Sequence, residues 1–246
     1  MEWRDDGLII GLKKHGETSV ILEAMTRAHG RHFGLVRGGR SRRMQPYLQP
    51  GNQAELVWRA RLDEHLGTFC IEPGKLRTEH LMASAEALHA MGLVAALLRL
   101  AAERDPHPLL YEMAMQIADD VQRPENLPPL VVRFEAEILT EMGFGLDLAQ
   151  CAATGATDDL VYVSPKSGRA VSKAAGEPYK TKLLRLPPFL QGETLLDGLP
   201  LSDIRDGFRL MEFFLMRDLY GPRGQGLPEA HGAYLTELAK RPGWAA

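Results

Sequence analysis

The chain has 246 residues, 45% of them hydrophobic and 25% charged, with a formal net charge of −3. That length can bury a substantial core, as one large domain or two smaller ones, and the composition excludes disordered, fibrous and disulfide-stapled classes. Two cysteines, Cys70 and Cys151, cannot build a disulfide framework and fit a reducing compartment. The opening MEWRDDGLIIG carries Glu2, Asp5 and Asp6 and too short an apolar stretch for a secretory signal. The longest apolar run, roughly Ala90–Leu98, is far below the ~18–20 residues that span a bilayer. The expectation is a cytoplasmic protein with no membrane partner.

In chain order, residues 1–72 read as strands and turns. GLIIGLKK alternates Leu8, Ile10 and Leu12, the period of a half-buried strand. TSVILEAMT, Thr18–Thr26, is β-branched and apolar, RAHG supplies a turn, and RHFGLVR returns, so Thr18–Arg37 reads as a hairpin. LQPGN is a proline-glycine turn, QAELVWRA alternates Ala54, Leu56 and Trp58, and GTFCIE is a fifth strand with Cys70 expected inside. Five short strands in about 70 residues suit a small closed barrel such as an OB-fold, with an SH3-like barrel also compatible.

After Glu72–His80 the period becomes helical. Ser84–Ala102 reads as a buried helix and His107–Val121 as a second. Pro128–Pro129 opens a third, with Leu130, Phe134, Ile138 and Met142 on one face and Gly143 as its C-terminal stop. Ser202 is expected to cap a fourth, whose Ile204, Phe208, Met211 and Leu215 share a face, and Pro228–Lys240 reads as a fifth. Asp147–Gly198 is irregular and rich in Gly, Pro and Ser.

Charge is unevenly spread. Residues 1–80 hold 13 Lys+Arg against 10 Asp+Glu, and the remaining 166 hold 16 against 22. From Arg27 to Arg43 there are six arginines and no acid. A solvated loop is the plain alternative. Against it stand the absence of acids, the exclusive use of arginine, which grips phosphate bidentately, and Gly38-Gly39, which could bring backbone N–H groups to a phosphate. Aromatic residues for base stacking are sparse: Phe33 and Trp58 fit a core equally well, leaving Tyr47. The candidate DNA contacts are Arg37, Arg40, Arg42 and Arg43, flanked by Arg31 and Lys13.

Other motifs read as ordinary. Gly38-Gly39-Arg40-Ser41 is no P-loop, and GPRGQG at Gly221–Gly226 is an inter-helix loop. His29 and His32 read as two surface histidines on a turn rather than a metal pair. Asp119-Asp120 and Asp158-Asp159 read as solvated surface. No nucleophile–base arrangement can be argued from spacing, so no enzyme is expected.

HGETSVIL (His15–Leu22), TRAHG (Thr26–Gly30), GLVRGGRSRR (Gly34–Arg43), YLQPGN (Tyr47–Asn52), RFEAEILTEMGFGLDLAQCAATG (Arg133–Gly155) and VYVSPKSGRAVS (Val161–Ser172) together resemble the bacterial RecO family of recombination mediators. No piece is decisive alone, but their order and spacing are specific and run along the chain. The resemblance implies an α+β, two-domain chain: a five-stranded OB-fold DNA-binding domain over 1–78 and an α-helical domain over 79–246, with 147–198 an irregular, degenerate zinc-finger-like insertion. It also implies binding of single- and double-stranded DNA, strand annealing without ATP, and loading of RecA with the partner RecR on DNA coated by single-strand-binding protein. That protein's acidic C-terminal tail would be recognised by the helical domain. Arg133, a cation among Glu135, Glu137 and Glu141 that is read as lying in a helix's first turn, is the candidate anchor, with an internal salt bridge as the alternative.

Many relatives in this family carry two C-x-x-C zinc pairs. Here the four positions read Cys151, Thr154, Ser172 and Ala175, which cannot supply the sulfur shell of structural zinc, so no metal or other cofactor is expected. Val161, Val163 and Val171 would form a small hairpin core instead. Two other classes remain open: a generic OB-fold nucleic-acid or translation-associated module without annealing activity, and a hydrolase or nuclease in the irregular segment.

Overall fold

The structure, a computed structural model, describes residues 1–192 and 198–244. The chain divides into two compact units, Met1–Pro124 and Glu125–Ala246.

The first unit opens with five strands: β1 (Glu2–His15), β2 (Ser19–Thr26), β3 (Gly30–Val36), β4 (Gln53–Arg59) and β5 (Thr68–Pro73). They close into a barrel in the order β1-β2-β3-β5-β4, with β3 and β5 parallel at the closure. This is the OB arrangement expected from the strand pattern. Period-2 alternation sends Ile9, Val20, Leu22, Ala24, Val36, Ala54, Leu56, Trp58 and Phe69 inward, and Leu48 joins them from the β3–β4 connection. The fully buried Trp58 donates its indole N–H to the Leu66 carbonyl at 3.1 Å. The same alternation puts Cys70 on the outer face, exposed rather than inside, because its neighbour Phe69 takes the inward position.

β1 is long because it serves two neighbours. Glu2–Leu8 pair with β4, and Gly7–His15 pair with β2. A bulge between Ile9 and Gly11 changes the face that later residues present. Past it, Leu12 stands opposite Leu22 and Lys14 opposite Val20, so both lie on the barrel's inward-facing side, while Lys13, opposite Ile21, faces outward.

Three helices complete this unit: α1 (Thr78–Ala83), α2 (Ala85–Leu98) and α3 (Pro108–Asp119). Ser84 caps α2, its side chain accepting the Ala87 N–H at 3.2 Å, and α3 starts at a proline whose missing N–H costs nothing there. The end of α2 is fastened to the barrel by Glu23, 7% exposed, which lies between Arg31 and Arg99 at 2.9 Å each. Arg99 also donates to the Ile10 carbonyl at 2.7 Å, and Arg31 to the Ala101 carbonyl at 3.0 Å. Gly11 makes this possible: a Cβ there would lie 2.6 Å from the Arg99 guanidinium and 2.7 Å from the Glu23 carboxylate.

The second unit is built on α4 (Leu127–Glu141), a one-turn α5 (Lys173–Gly176), α6 (Leu201–Phe214) and α7 (Glu229–Leu238). A π-helical turn, Leu215–Tyr220, continues α6. The apolar face of α4 is buried as its period requires, and Gly143 lies beyond its end at φ +86°. Ser202 does not cap α6. The cap position is Pro200, and Ser202 lies inside the first turn. Asp147–Gly198 contains a three-stranded sheet of β6 (Leu160–Val163), β7 (Ala170–Ser172) and β8 (Leu184–Arg185), ordered β7-β6-β8. Its core is Leu160, Tyr162, Val163, Ala170 and Val171. Val161 is only half-buried, since a register shift gives its place to Tyr162. Residues 193–197 of that segment lie outside the described residues.

Candidate nucleic-acid interface

The six arginines of Arg27–Arg43 divide by environment. Arg27 pairs with Glu112 at 2.6 Å, and Arg31, its side chain 16% exposed, is held by Glu23 and Ala101. Arg31 is therefore a structural residue, whereas Arg27 makes an exposed surface pair. The other four stand on the connection between β3 and β4, all exposed. Arg37, Arg42 and Arg43 have no ion pair among the described residues. Arg40 donates to the Gly16 carbonyl at 2.9 Å, tying this loop to the β1–β2 turn. Lys13 is exposed on the outer face of β1.

The arginine loop is held in place by its own backbone. Gly39 N–H donates to Val36 O at 3.3 Å, Arg40 N–H to Thr18 O at 3.0 Å and Ser41 N–H to Gly38 O at 3.0 Å. The Gly39 donor is already used, so this glycine serves a different purpose from cradling phosphate. Gly38 takes φ +69°, where L side chains are strained. A Cβ on Gly39 would lie 2.6 Å from Val20 and 3.2 Å from Leu48, so only glycine lets the loop lie flat on the barrel. Further on, Asn52 is fully buried and joins three segments. Its Nδ2 donates to the Pro46 and Tyr47 carbonyls at 3.0 and 3.2 Å, while its Oδ1 accepts the Arg77 N–H at 2.7 Å and the Thr78 hydroxyl at 3.1 Å. The loop thus presents exposed guanidinium groups from a hydrogen-bonded backbone.

Beside the loop, the inward-facing side of the β1–β2 hairpin reaches the edge of the barrel's packed interior, where Leu12 and Lys14 are exposed and Val20 is still in the core. Leu12, Lys14 and Val20 from the hairpin, with Gly39, Arg40, Gln45, Leu48 and Gln49 from the loop, line a groove of about 350 Å³. Lys14 was not singled out by sequence reasoning. Only its register opposite Val20 shows that it, and not Lys13, faces the groove.

The histidines of the β2–β3 turn are not a surface pair. His29 is half-buried and stacks on Trp3 at 4.2 Å, and His32, 2% exposed, packs edge-on against Trp3 and Trp58 at 5.0 and 4.9 Å. Burial, with the nearby positive charge of Arg104, lowers the His32 pKa to about 4. Asp119 is likewise not merely solvated: Arg77 and Lys75 both bind its carboxylate.

In the second unit Arg133 is the seventh residue of α4, not in its first turn, because the helix begins at Leu127. Its Nε and Nη2 donate to the Phe189 carbonyl at 3.1 and 2.8 Å. Its partial burial lowers its pKa. A separate groove of about 550 Å³ on α6 and the turn after it is lined by Leu184, Arg209, Glu212, Phe213, Met216 and Arg217. Phe213 is 37% exposed there.

Three of the four positions of the degenerate zinc pattern come together. Cys151 Sγ lies 3.5 Å from Ser172 Oγ and accepts the Ser172 N–H at 3.3 Å, and Thr154 also hydrogen-bonds it. Burial pushes the Cys151 thiol up, but these bonds and the Ala153 N–H outweigh it and bring its pKa to about 6. Ala175, in α5, offers no donor atom. One sulfur and two hydroxyls do not fit a tetrahedral zinc shell. Among the described residues no group of three or more His, Cys, Asp or Glu could hold a metal ion, and no helix is long and apolar enough to cross a membrane.

The sequence matches two family models, Recombination protein O N terminal over residues 1–72 and Recombination protein O C terminal over residues 82–225. It is 67% identical over 241 residues to the DNA repair protein RecO of Methylocella silvestris, covering 98% of this chain and 97% of that protein. It is 59% identical to the RecO of Beijerinckia indica, covering 98% and 96%, and 54% identical to that of Methylorubrum populi, covering 96% and 98%. The chain belongs to the recombination protein O family.

Proposed function

We propose that this chain is a DNA repair and recombination mediator that works by binding, with no covalent step. It holds single- and double-stranded DNA, anneals complementary strands without nucleotide or metal, and with RecR assists RecA loading on DNA coated by single-strand-binding protein. It would act in the bacterial cytoplasm, at the nucleoid. The observation that carries the DNA reading is the row of exposed arginines, Arg37, Arg40, Arg42 and Arg43, on a fixed loop. Annealing brings two polyanions together. Arginines offset that repulsion, and contacts aimed at phosphates leave the bases free to pair. Lys13 and Arg31 flank this row, but Arg31 is engaged by Glu23, so we assign it a smaller share.

The test is annealing of complementary oligonucleotides coated with single-strand-binding protein, in excess EDTA and without nucleotide. Annealing by the wild type, lost in Arg37→Ala/Arg42→Ala/Arg43→Ala, supports the reading. No annealing by folded wild type leaves a generic OB-fold nucleic-acid module.

For the acidic tail of single-strand-binding protein, Arg133 remains our anchor. Its guanidinium, oriented by the Phe189 carbonyl and half-buried, suits a terminal carboxylate next to apolar side chains. A titration with the tail peptide tests it: Arg133→Ala at full affinity removes it. Loss in Arg209→Ala/Phe213→Ala instead moves the site to the α6 groove.

A further inference from the structure

The groove beneath the arginine loop differs in kind from the arginines above it. Its exposed apolar side chain is Leu12, 37% exposed in a chain that buries most of its leucines, and Val20 and Leu48 of the barrel core, 7% and 2% exposed, lie behind it. Its rim is cationic, Lys14 on one side and Arg40 on the other, and no carboxylate is among its lining residues. Its polar groups are two glutamines held in fixed orientations. Gln45 Nε2 donates to the Arg40 carbonyl at 3.2 Å and Gln49 Nε2 to the Gln45 carbonyl at 2.9 Å. Each Oε1 is left without a hydrogen-bond donor among the described residues.

The groove is there because β1 and β2 run to the edge of the barrel's packed interior. The bulge at Ile9/Gly11 keeps Leu12 and Lys14 on the inward-facing side, where both are exposed. Gly39 lowers the loop onto Val20 and Leu48, so the wall stands close to the hairpin. Phosphate binding alone requires none of this, because an exposed guanidinium needs no exposed leucine beside it.

We infer that this groove seats an unstacked nucleobase of single-stranded DNA, its face on Leu12, its edge toward the Gln45 and Gln49 side-chain Oε1 atoms, and its flanking phosphates at Lys14 and Arg40. The inference rests on the DNA-binding reading above. A flat ring face bordered by anionic phosphates matches an exposed leucine with a cationic rim, and the groove continues directly into the arginine loop. Duplex DNA, whose bases are stacked and paired, cannot enter it. The site therefore favours single strands, while the arginines hold either form.

The test uses the full chain and two oligomers of equal length and charge: oligo-dT and an abasic deoxyribose-phosphate oligomer. Wild type is expected to bind oligo-dT about fivefold more tightly at one salt concentration, the equivalent of burying one face of a base. Leu12→Gln, at an exposed position, should abolish that preference while keeping the abasic affinity, and Gln45→Ala should reduce it. Circular dichroism checks that both variants fold. Equal binding of the two oligomers by wild type, or a preference that survives Leu12→Gln, overturns the groove assignment. The control Arg37→Ala/Arg42→Ala/Arg43→Ala should weaken both oligomers alike. If it weakens neither, the arginine-loop reading fails, and the base-to-abasic ratio still reports on the groove.

Discussion

The Asn52 side-chain oxygen accepts the backbone N–H of Arg77 at 2.7 Å, joining the end of the arginine loop to the start of α1. Through its Nδ2 the same side chain holds the Pro46 and Tyr47 carbonyls. The loop's position is therefore set largely from inside the protein, with Arg40 adding a tie to the Gly16 carbonyl. Asn52→Ala strands several buried polar groups and should cost about 2–3 kcal/mol in urea unfolding. It should also expose the 40–50 region to protease and weaken DNA binding under conditions where the fold survives.

Glu23 separates structural from DNA-binding arginines. Removing one member of a fully buried ion cluster costs about 3–5 kcal/mol, because a charge is left without a partner. Glu23→Ala should cost less, about 1–3 kcal/mol, because Arg99 is 44% exposed and both arginines keep backbone acceptors. Arg31→Ala should lower the thermal midpoint and leave the salt dependence of DNA binding nearly unchanged. Arg42→Ala should do the reverse.

His32 makes the barrel acid-sensitive. Its pKa is about 4 in the fold against an ordinary 6.5, so the folded state holds it neutral. Its contribution to stability is complete above about pH 6.5 and is lost as pH falls toward 4. His32→Phe removes that dependence. Thermal midpoints from pH 7.5 to 4.5 should fall less steeply in the variant than in wild type.

The second unit carries the opposite sign. Glu135 is fully buried, its Oε1 3.5 Å from His231 Nε2. Burial, and then the charge of Glu212, raise its pKa well above the ordinary 4.5, and burial lowers that of His231. Both are held neutral. The stability contributed by Glu135 is complete below about pH 4.5 and is lost as pH rises, since the unfolded carboxyl ionises there first. Glu135→Gln keeps the shape and removes the titration. The variant should gain on wild type in thermal midpoint between pH 5 and 8.

The hydrogen bonds around Cys151 predict that chelation is silent. EDTA should leave the thermal midpoint unchanged, and metal analysis should find no zinc that scales with protein. A midpoint that drops on chelation would show that the 151–175 hairpin recruits a metal from elsewhere.

The barrel was legible because alternation along short strands leaves few ways to place Leu22, Leu56 and Trp58. What escaped sequence reading depended on register and on partners distant in the sequence. The bulge at Ile9/Gly11 decides that Lys14 and not Lys13 faces the groove, and no local pattern marks it. Arg31 looks like its neighbours until strand pairing brings it beside Glu23. His32 reads as turn surface until Trp3, Trp58 and Phe69 close around it. Gly38-Gly39 was legible as special, but the reasons are positive φ at Gly38 and close packing at Gly39, whose N–H is bonded to Val36 O. Ser202 matches a cap by type, while Pro200 takes the position.

The most direct test of the central claim is the salt dependence of single-stranded DNA binding. Each phosphate contact should contribute about 0.7 to the slope of log K against log salt. Arg37→Ala/Arg42→Ala/Arg43→Ala should flatten that slope by about two units with an unchanged thermal midpoint. A folded triple variant with the wild-type slope would place the DNA elsewhere on the protein.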